Sequence, residues 1–579
     1  MVSFRKSLLL MALLVVVTGV AAAQVTTPLT CTANAGVPPL VRAEAIADEV
    51  GQVTIECRGG VRAAEGTLLP TINVQIFLNT NLTSRIYASG STQQGSEALL
   101  LIDEPAPAIQ ELCPNINTGC PARASYDGLG NELTYGGNPY TTASETFQGY
   151  NIFRAIHGRQ TVQGLENSVT WLGIPFNPPG TAGVRTLRLV NVRANASSLA
   201  VFGPLGIPST ISMAISISGT AALPLANPQL TVAFVQPGLL FTADSALTIP
   251  QCERATYNYN IRYQERFGTA FRVRGANSDG VSNQNQPGQI YNTESMFTHT
   301  DLFGTMSGAS YGVASAGTRL QARFTGIPTG LSITLVPQAS TLTLANVSGF
   351  SSGNTLSISG QAGTAVWEVI GANPNQIENI VIQVQITWSS GTTPGLGTAT
   401  IRGDYNPLST VFTASTSAAV PRFVESNNDL GRFSVLPCQT NLLYPFVSNQ
   451  AGFDTGVVVS NTSLDPFGTV TQEGDCTIHY YGKTAAGATL VDRFTTPSII
   501  KAGEQLVFTL SAGGTNSVPA TQGFQGYLII RCNFQYAHGF AFVSDLGAQR
   551  LAMGYLPLVM DGAISTLPRT GVRSEPLNQ

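Results

Sequence analysis

The chain has 579 residues, too many for one hydrophobic core, and by length divides into about three domains. Charged residues make up 11%, against about 25% in an ordinary soluble domain, yet 43% are apolar and regularly spaced, which excludes charge-driven disorder. The net charge is −4 with no basic run, so a nucleic-acid backbone finds no cationic stripe to bind.

Arg5 and Lys6 precede an apolar stretch from Leu8 to Val20, and Ala21-Ala22-Ala23 follows. That order predicts a secretory signal peptide over residues 1–23, cleaved before Gln24, because the apolar stretch is too short to span a bilayer comfortably. Losing Arg5 and Lys6 takes the charge from −4 to −6. No later run of about 18 apolar residues exists, so no transmembrane segment is expected after cleavage. Beyond residue 23 the only lysines are Lys483 and Lys501, which leaves Ser, Thr, Asn, Gln and Gly to make most of the surface.

Export makes disulfides the natural reading of the even cysteine set Cys31, Cys57, Cys113, Cys120, Cys252, Cys438, Cys476 and Cys532. Eight cysteines allow 105 pairings. Proximity in the chain favours Cys31–Cys57, Cys113–Cys120 and Cys476–Cys532, leaving Cys252 for Cys438. No C-x-x-C occurs, so zinc-ribbon and thioredoxin-type readings fail, and no metal or cofactor is expected.

A first module is predicted over 24–246. Ile72, Val74, Ile76 and Leu78 alternate with mostly polar neighbours, as do Ile211, Met213, Ile215 and Ile217, and Leu230, Val232 and Phe234 close the series. Val41 to Val50 suits a short helix. Residues 105–150 read as a long insertion stapled by Cys113 and Cys120. A second module is expected over 247–421. Tyr257, Tyr259, Ile261 and Tyr263 share one strand face; Leu331, Ile333 and Leu335 share another; Ile380 to Trp388 is the cleanest alternation, with Trp388 predicted inside. Ala414 to Pro421 reads as a linker. The third module runs over 430–560, with a loose tail at 561–579. Its longest signal is Gly523 to Leu546. There Leu528, Ile530, Cys532, Phe534, Tyr536, Phe540 and Phe542 are read as one buried face, with a bend near Ala537-His538-Gly539. Strands of five to nine residues separated by Gly, Pro and Asn turns, without helical periods between them, predict an all-β chain of tandem antiparallel, immunoglobulin-like β-sandwich modules.

Motifs that carry chemistry are few. Gly308-Ala309-Ser310-Tyr311-Gly312 matches a nucleophile elbow, but its flanks are a small-residue loop where a strand and a helix are needed. Leu567-Pro568-Arg569-Thr570-Gly571 matches a wall-sorting pentapeptide without the apolar span that should follow. Arg402-Gly403-Asp404 is an integrin-type tripeptide that a chain of this length yields by chance. Asn277 to Gly280 lacks the acidic positions of a calcium loop. His157, His299, His479 and His538 lack partners at ligand spacing, and His538 reads as a core or bend histidine. The Tyr257, Tyr259 and Tyr263 face suits core packing first and a sugar platform second.

The segments LLYPFVSNQAGFDTGVVVSNTSLDPFGT (442–469) and GYLIIRCNFQYAHGFAFVSD (526–545) resemble a group of uncharacterised exported proteins of environmental Gram-negative bacteria. CTANAGVPPLVRAEAIADEVG and VQIFLNTNLTSRI, near the start, resemble the same group. The resemblance implies export and β-rich modules and brings no functional residue with it. The expected function is that of a secreted or cell-surface structural or adhesive protein without catalytic activity, meeting surface polysaccharide or other surface proteins. Two alternatives remain: extracellular carbohydrate binding on Tyr257, Tyr259 and Tyr263, and an exported hydrolase using Ser310.

Overall fold

The computed structural model describes residues 27–560 except 90–91, 106–108, 137–139, 162–163, 202–207, 222, 252–254, 274–317, 348–354, 390–394, 407, 409–422, 427–428, 470, 486–491 and 549. The predicted signal peptide, the 414–421 linker, the tail, Ser310, His299, the 277–280 segment and the 567–571 pentapeptide lie outside the described residues.

Nearly all regular structure is strand, and the strands form pairs of sheets closed on three separate hydrophobic cores. The chain is therefore a set of tandem β-sandwiches. In the first, the order Ile152–Arg154, Leu99–Ile102, Gly180–Val190, Val53–Gly59, Thr30–Asn34, Leu225–Ala226 faces a sheet of Ile156–His157, Ser168–Pro175, Thr71–Leu78, Ser209–Gly219, Gln229–Gln236 and Leu40–Arg42. Ile72, Val74, Ile76 and Leu78 all point into this core beside Trp171, as a period of two requires. Phe234 departs from its expected side. A bulge in the pairing of Ile211 and Ser212 puts both Val232 and Ala233 inside, and every residue beyond changes face.

The second sandwich joins the five-stranded sheet Leu239–Ala243, Tyr257–Glu265, Asn379–Trp388, Leu331–Pro337, Leu356–Ile358 to a six-stranded one. The latter runs Leu247–Pro250, Asp429–Leu436, Gly397–Asn406, Arg319–Thr325, Gly363–Gly371, Thr343–Asn346. Strand pairing thus carries Leu239–Ala243 and Asp429–Leu436 into this unit, across the expected limits at 246 and 430. Trp388 is half-buried, its Nε1 donating to the Ala255 carbonyl at 3.0 Å, because its strand outruns the core at that end.

Where a helix was expected at 41–50 there are two short strands, Leu40–Arg42 and Asp48–Glu49. The cause is a buried ion pair. Arg42 Nη2 meets Asp48 Oδ1 at 2.6 Å, both side chains fully enclosed, and Arg42 Nε meets Asp48 Oδ2 at 3.0 Å. Arg42 also donates to the Ala270 carbonyl and the Thr318 hydroxyl, and its guanidinium lies 4.7 Å over the Phe423 ring. These partners belong to the second sandwich, so the pair fastens two sandwiches together. Glu44 adds to the junction, accepting from the Gly238 and Leu239 amides.

The third sandwich packs Arg493–Thr495, Cys476–Lys483, Gln525–Cys532, Thr440–Ser448, Leu558–Val559 against Gly513–Gly514, Gln505–Thr509, Asp454–Asn461, Ala537–Ser544, Ala552–Tyr555. Only Pro437, Cys438 and Gln439 separate its first strand from the last strand of the second sandwich.

The long signal at 523–546 is two strands in different sheets, Gln525–Cys532 and Ala537–Ser544. The chain turns at Asn533 to Tyr536, with Tyr536 in the left-handed region at φ 61°, and not at Ala537-His538-Gly539. The turn moves the strand to the opposite sheet and reverses its phase. Leu528, Ile530, Cys532 and Phe534 are buried as expected; beyond the turn Ala537, Ala541 and Val543 point in. Tyr536, Phe540 and Phe542 are 47%, 43% and 45% exposed, and His538 is exposed with Nδ1 2.9 Å from the Thr462 hydroxyl.

Cys31–Cys57, Cys113–Cys120 and Cys476–Cys532 are disulfide-bonded. The first and third join residues directly opposite on neighbouring antiparallel strands of one sheet. Cys438 is also disulfide-bonded; its expected partner Cys252 lies outside the described residues. The pairing between strands near the two ends of each unit differs among the units. Thr30–Asn34 pairs parallel with Leu225–Ala226, and Leu247–Pro250 pairs parallel with Asp429–Leu436. In the third unit Thr440–Ser448 pairs antiparallel with Leu558–Val559.

Candidate functional site

The tyrosine face singled out by the sequence is interior. Tyr259 and Tyr263 are 2% and 0% exposed. The Tyr259 hydroxyl donates to the Asp244 carbonyl at 2.6 Å and the Tyr263 hydroxyl to the Gln321 carbonyl at 2.6 Å. Tyr257 packs partly buried against the same core. A sugar platform needs wet rings, and this face packs against the second core. Arg402-Gly403-Asp404 is closed too. Asp404 is 1% exposed and accepts from the Ser426 amide and hydroxyl, while Arg402 pairs with Glu425 at 2.5 Å. His157 is buried, with Nε2 2.8 Å from the Leu82 carbonyl and Nδ1 accepting from the Arg159 amide.

Apart from Phe234, the exposed aromatic residues among those described sit on the third sandwich, several of them on its two outer faces. On the Ala537–Ser544 side, Phe540 lies opposite Val458, which lies opposite Val507, and Phe542 lies opposite Gly456. A Cβ on Gly554 would stand 2.5 Å from Phe540 Cζ, so the ring rests on the bare backbone of the edge strand. This is an exposed apolar row. An apolar hollow of about 450 Å³ opens beside it, lined by Phe446, Phe453, Leu551 and Met553.

The opposite face is built differently. In Cys476–Lys483 the odd positions Thr477, His479, Tyr481 and Lys483 point outward, while Ile478 and Tyr480 are buried. In Gln525–Cys532 the outward set is Gln525, Tyr527, Ile529 and Arg531. Tyr481 and Tyr527 are directly opposed, and their rings stack at 4.9 Å and 15°. His479 lies 6.4 Å from Tyr481 at 19°, so three rings stand nearly parallel. Gly482 and Gly526 oppose each other next in line, and a Cβ on Gly526 would fall 2.0 Å from the Tyr481 carbonyl, a spacing only glycine permits.

The rings wall an open concavity of about 820 Å³ that Asp492 and Arg493 also line. Arg493 stands opposite His479. Partial burial, then the charges of Arg493 and Arg531, hold the His479 imidazole below its ordinary pKa, so it is neutral at pH 7. The side chains of Lys483, Arg493 and Arg531 make no hydrogen bond or ion pair among the described residues. The interior arginines Arg42, Arg185 and Arg193, by contrast, are each matched to a carboxylate. Stacked rings beside uncommitted cations can hold a flat, partly apolar ligand carrying negative charge.

Of this face only His479 was singled out from the sequence, as a histidine without a partner at ligand spacing. The signal was present: Tyr481 and Tyr527 occupy the polar register of their strands, where an aromatic residue has no core to fill. Their juxtaposition depends on the pairing of strands about 45 residues apart, which alternation does not encode.

Searches against protein-family models and curated proteins returned no match. Among solved structures, the chain is similar to BcpA, the major pilin subunit of Bacillus cereus. The identity is 9% and the TM-score 0.19, over 92% of this chain and 95% of that one. It is also similar to the C-terminal domain of the AgI/II polypeptide BspA of Streptococcus agalactiae, with 6% identity, TM-score 0.23 and 65% and 96% coverage. The CupB6 tip adhesin of Pseudomonas aeruginosa gives 8%, 0.17, 70% and 98%. Values this low add nothing to what the sheets establish directly.

Proposed function

We propose that this chain is a secreted or cell-surface structural or adhesive protein without catalytic activity, and that its third sandwich presents the contact surface. One observation carries the reading: Tyr481, Tyr527, Phe540 and Phe542 stand in wet rows on the two outer faces of that unit. Apolar and aromatic residues cost solubility when left in water in rows, and such rows mark surfaces that meet something else. The first two sandwiches support this by being stiff. Several of their buried charges are paired, and a buried ion pair fastens one to the other. They serve as the support that carries the third.

The test is labelling of intact cells with a membrane-impermeant amine or carboxyl reagent, followed by fractionation. The chain should be labelled on the cell or recovered from the medium, with an N-terminus at Gln24. Recovery only from the cytoplasm, unlabelled, sinks the proposal.

A further inference from the structure

We propose that the outer face around Tyr481 and Tyr527 binds an acidic polysaccharide, the C–H face of a sugar ring lying against the tyrosines and its carboxylates meeting Lys483, Arg493 and Arg531. The inference rests on the surface reading above and names the partner for one of its faces.

Three features converge on this chemistry. The first is the ring set. Tyr481 and Tyr527 cover one another on one side, so they offer ring edges and a single free outer face rather than an open slot. A sugar presents a patch of C–H bonds that needs only one ring face. A nucleobase sandwiched between rings would need the gap that the 4.9 Å stacking closes. The second is charge. Between 440 and 560 the chain has five Lys and Arg and seven Asp and Glu, yet three of the five cations stand on this one face. They carry no ion pair among the described residues, whereas the buried arginines Arg42, Arg185 and Arg193 are each paired with a carboxylate. Anionic groups on a ligand complete the three on this face. The third is the acidic margin. Asp492 lines the concavity, and Asp475 is tied to Asn533 Nδ2 at 2.8 Å at the far end of the same face. A carboxylate accepts hydrogen bonds from the hydroxyls that a polysaccharide carries between its charged groups. The neutral His479 imidazole continues the row of rings and adds a hydrogen-bonding edge.

The experiment is affinity electrophoresis of the full mature chain. Native gels contain polygalacturonate, alginate or hyaluronate, with dextran as the neutral control and an oligo-dT strand as competitor. Retardation by at least one acidic polymer is expected, with none by dextran, falling as salt rises. Tyr481→Ala and Tyr527→Ala should each weaken it about tenfold, and Arg493→Gln severalfold, while Tyr527→Phe retains it because the ring rather than the hydroxyl makes the contact. All three positions are exposed or at the rim, and unchanged melting temperatures confirm intact folds. Migration unaffected by all three acidic polymers overturns the inference, as does equal retardation by dextran or displacement by oligo-dT at lower concentration. So does undiminished binding by well-folded alanine and glutamine variants. A protein labelled at the surface of intact cells that ignores every acidic polymer loses this inference and keeps the surface reading.

Discussion

Two buried acids show how one residue type can serve opposite ends. Burial raises the Asp48 carboxyl, and the charges of Arg42 and Arg272 more than reverse it, holding the group well below its ordinary range. Removing Arg42 strands that charge. Arg42→Leu should therefore cost about 3–5 kcal/mol in denaturant unfolding, and the double change with Asp48→Leu should recover much of it, since no charge is then left behind. Asp404 lacks such a partner. Burial pushes it up to about 6, against the bonds from Ser426 and the charge of Arg402. Its folded pKa is above its unfolded one, so the folded state holds the proton more tightly. That contribution is complete below pH 4 and is lost as pH rises through 6. Asp404→Asn should flatten the stability of the second sandwich between pH 4 and 7 and raise it by roughly 2 kcal/mol at pH 7. Melting curves across that range check it; an unchanged pH slope would contradict the assignment.

Strands were legible in the sequence wherever their alternation was unbroken. Ile72 to Leu78 and Ile380 to Ile386 lie as read, because a half-buried strand writes its two faces into every second residue. The failures share one physical cause. At Val232 a single extra residue, and at Asn533 to Tyr536 a turn between sheets, shift the phase, so Phe234, Phe540 and Phe542 emerge outside. Phase is set by partner strands far along the chain, and a local pattern cannot record it. The expected helix at 41–50 failed because Arg42 and Asp48 pair with each other in the interior, where Arg42 also meets groups of the second sandwich. Cysteine pairing followed nearness in the chain, because each bridge joins cysteines within one sandwich. The Cys31–Cys57 and Cys476–Cys532 bridges close segments of 26 and 56 residues within single sheets. Each should be worth about 2–5 kcal/mol. Differential scanning calorimetry with and without reductant should show lower melting for the first and third units in the reduced chain.

At the scale of the whole molecule, three sandwiches follow one another with a buried polar lock between the first two and a three-residue link before the third. The candidate site occupies the unit held by that short link. Its residues come from Cys476–Lys483, Arg493–Thr495 and Gln525–Cys532, and only the sheet brings them together.

The direction in which strands near the two ends of each unit meet sets how the chain bears a pull. Tugging on its ends drags Leu247–Pro250 and Asp429–Leu436 past each other lengthwise, so all their hydrogen bonds are strained at once; Thr30–Asn34 against Leu225–Ala226 is loaded the same way. Thr440–Ser448 and Leu558–Val559 run oppositely, and traction peels their bonds apart one after another. In optical tweezers the third unit should yield at the lowest tension, giving way as an extensible element while the two behind it hold.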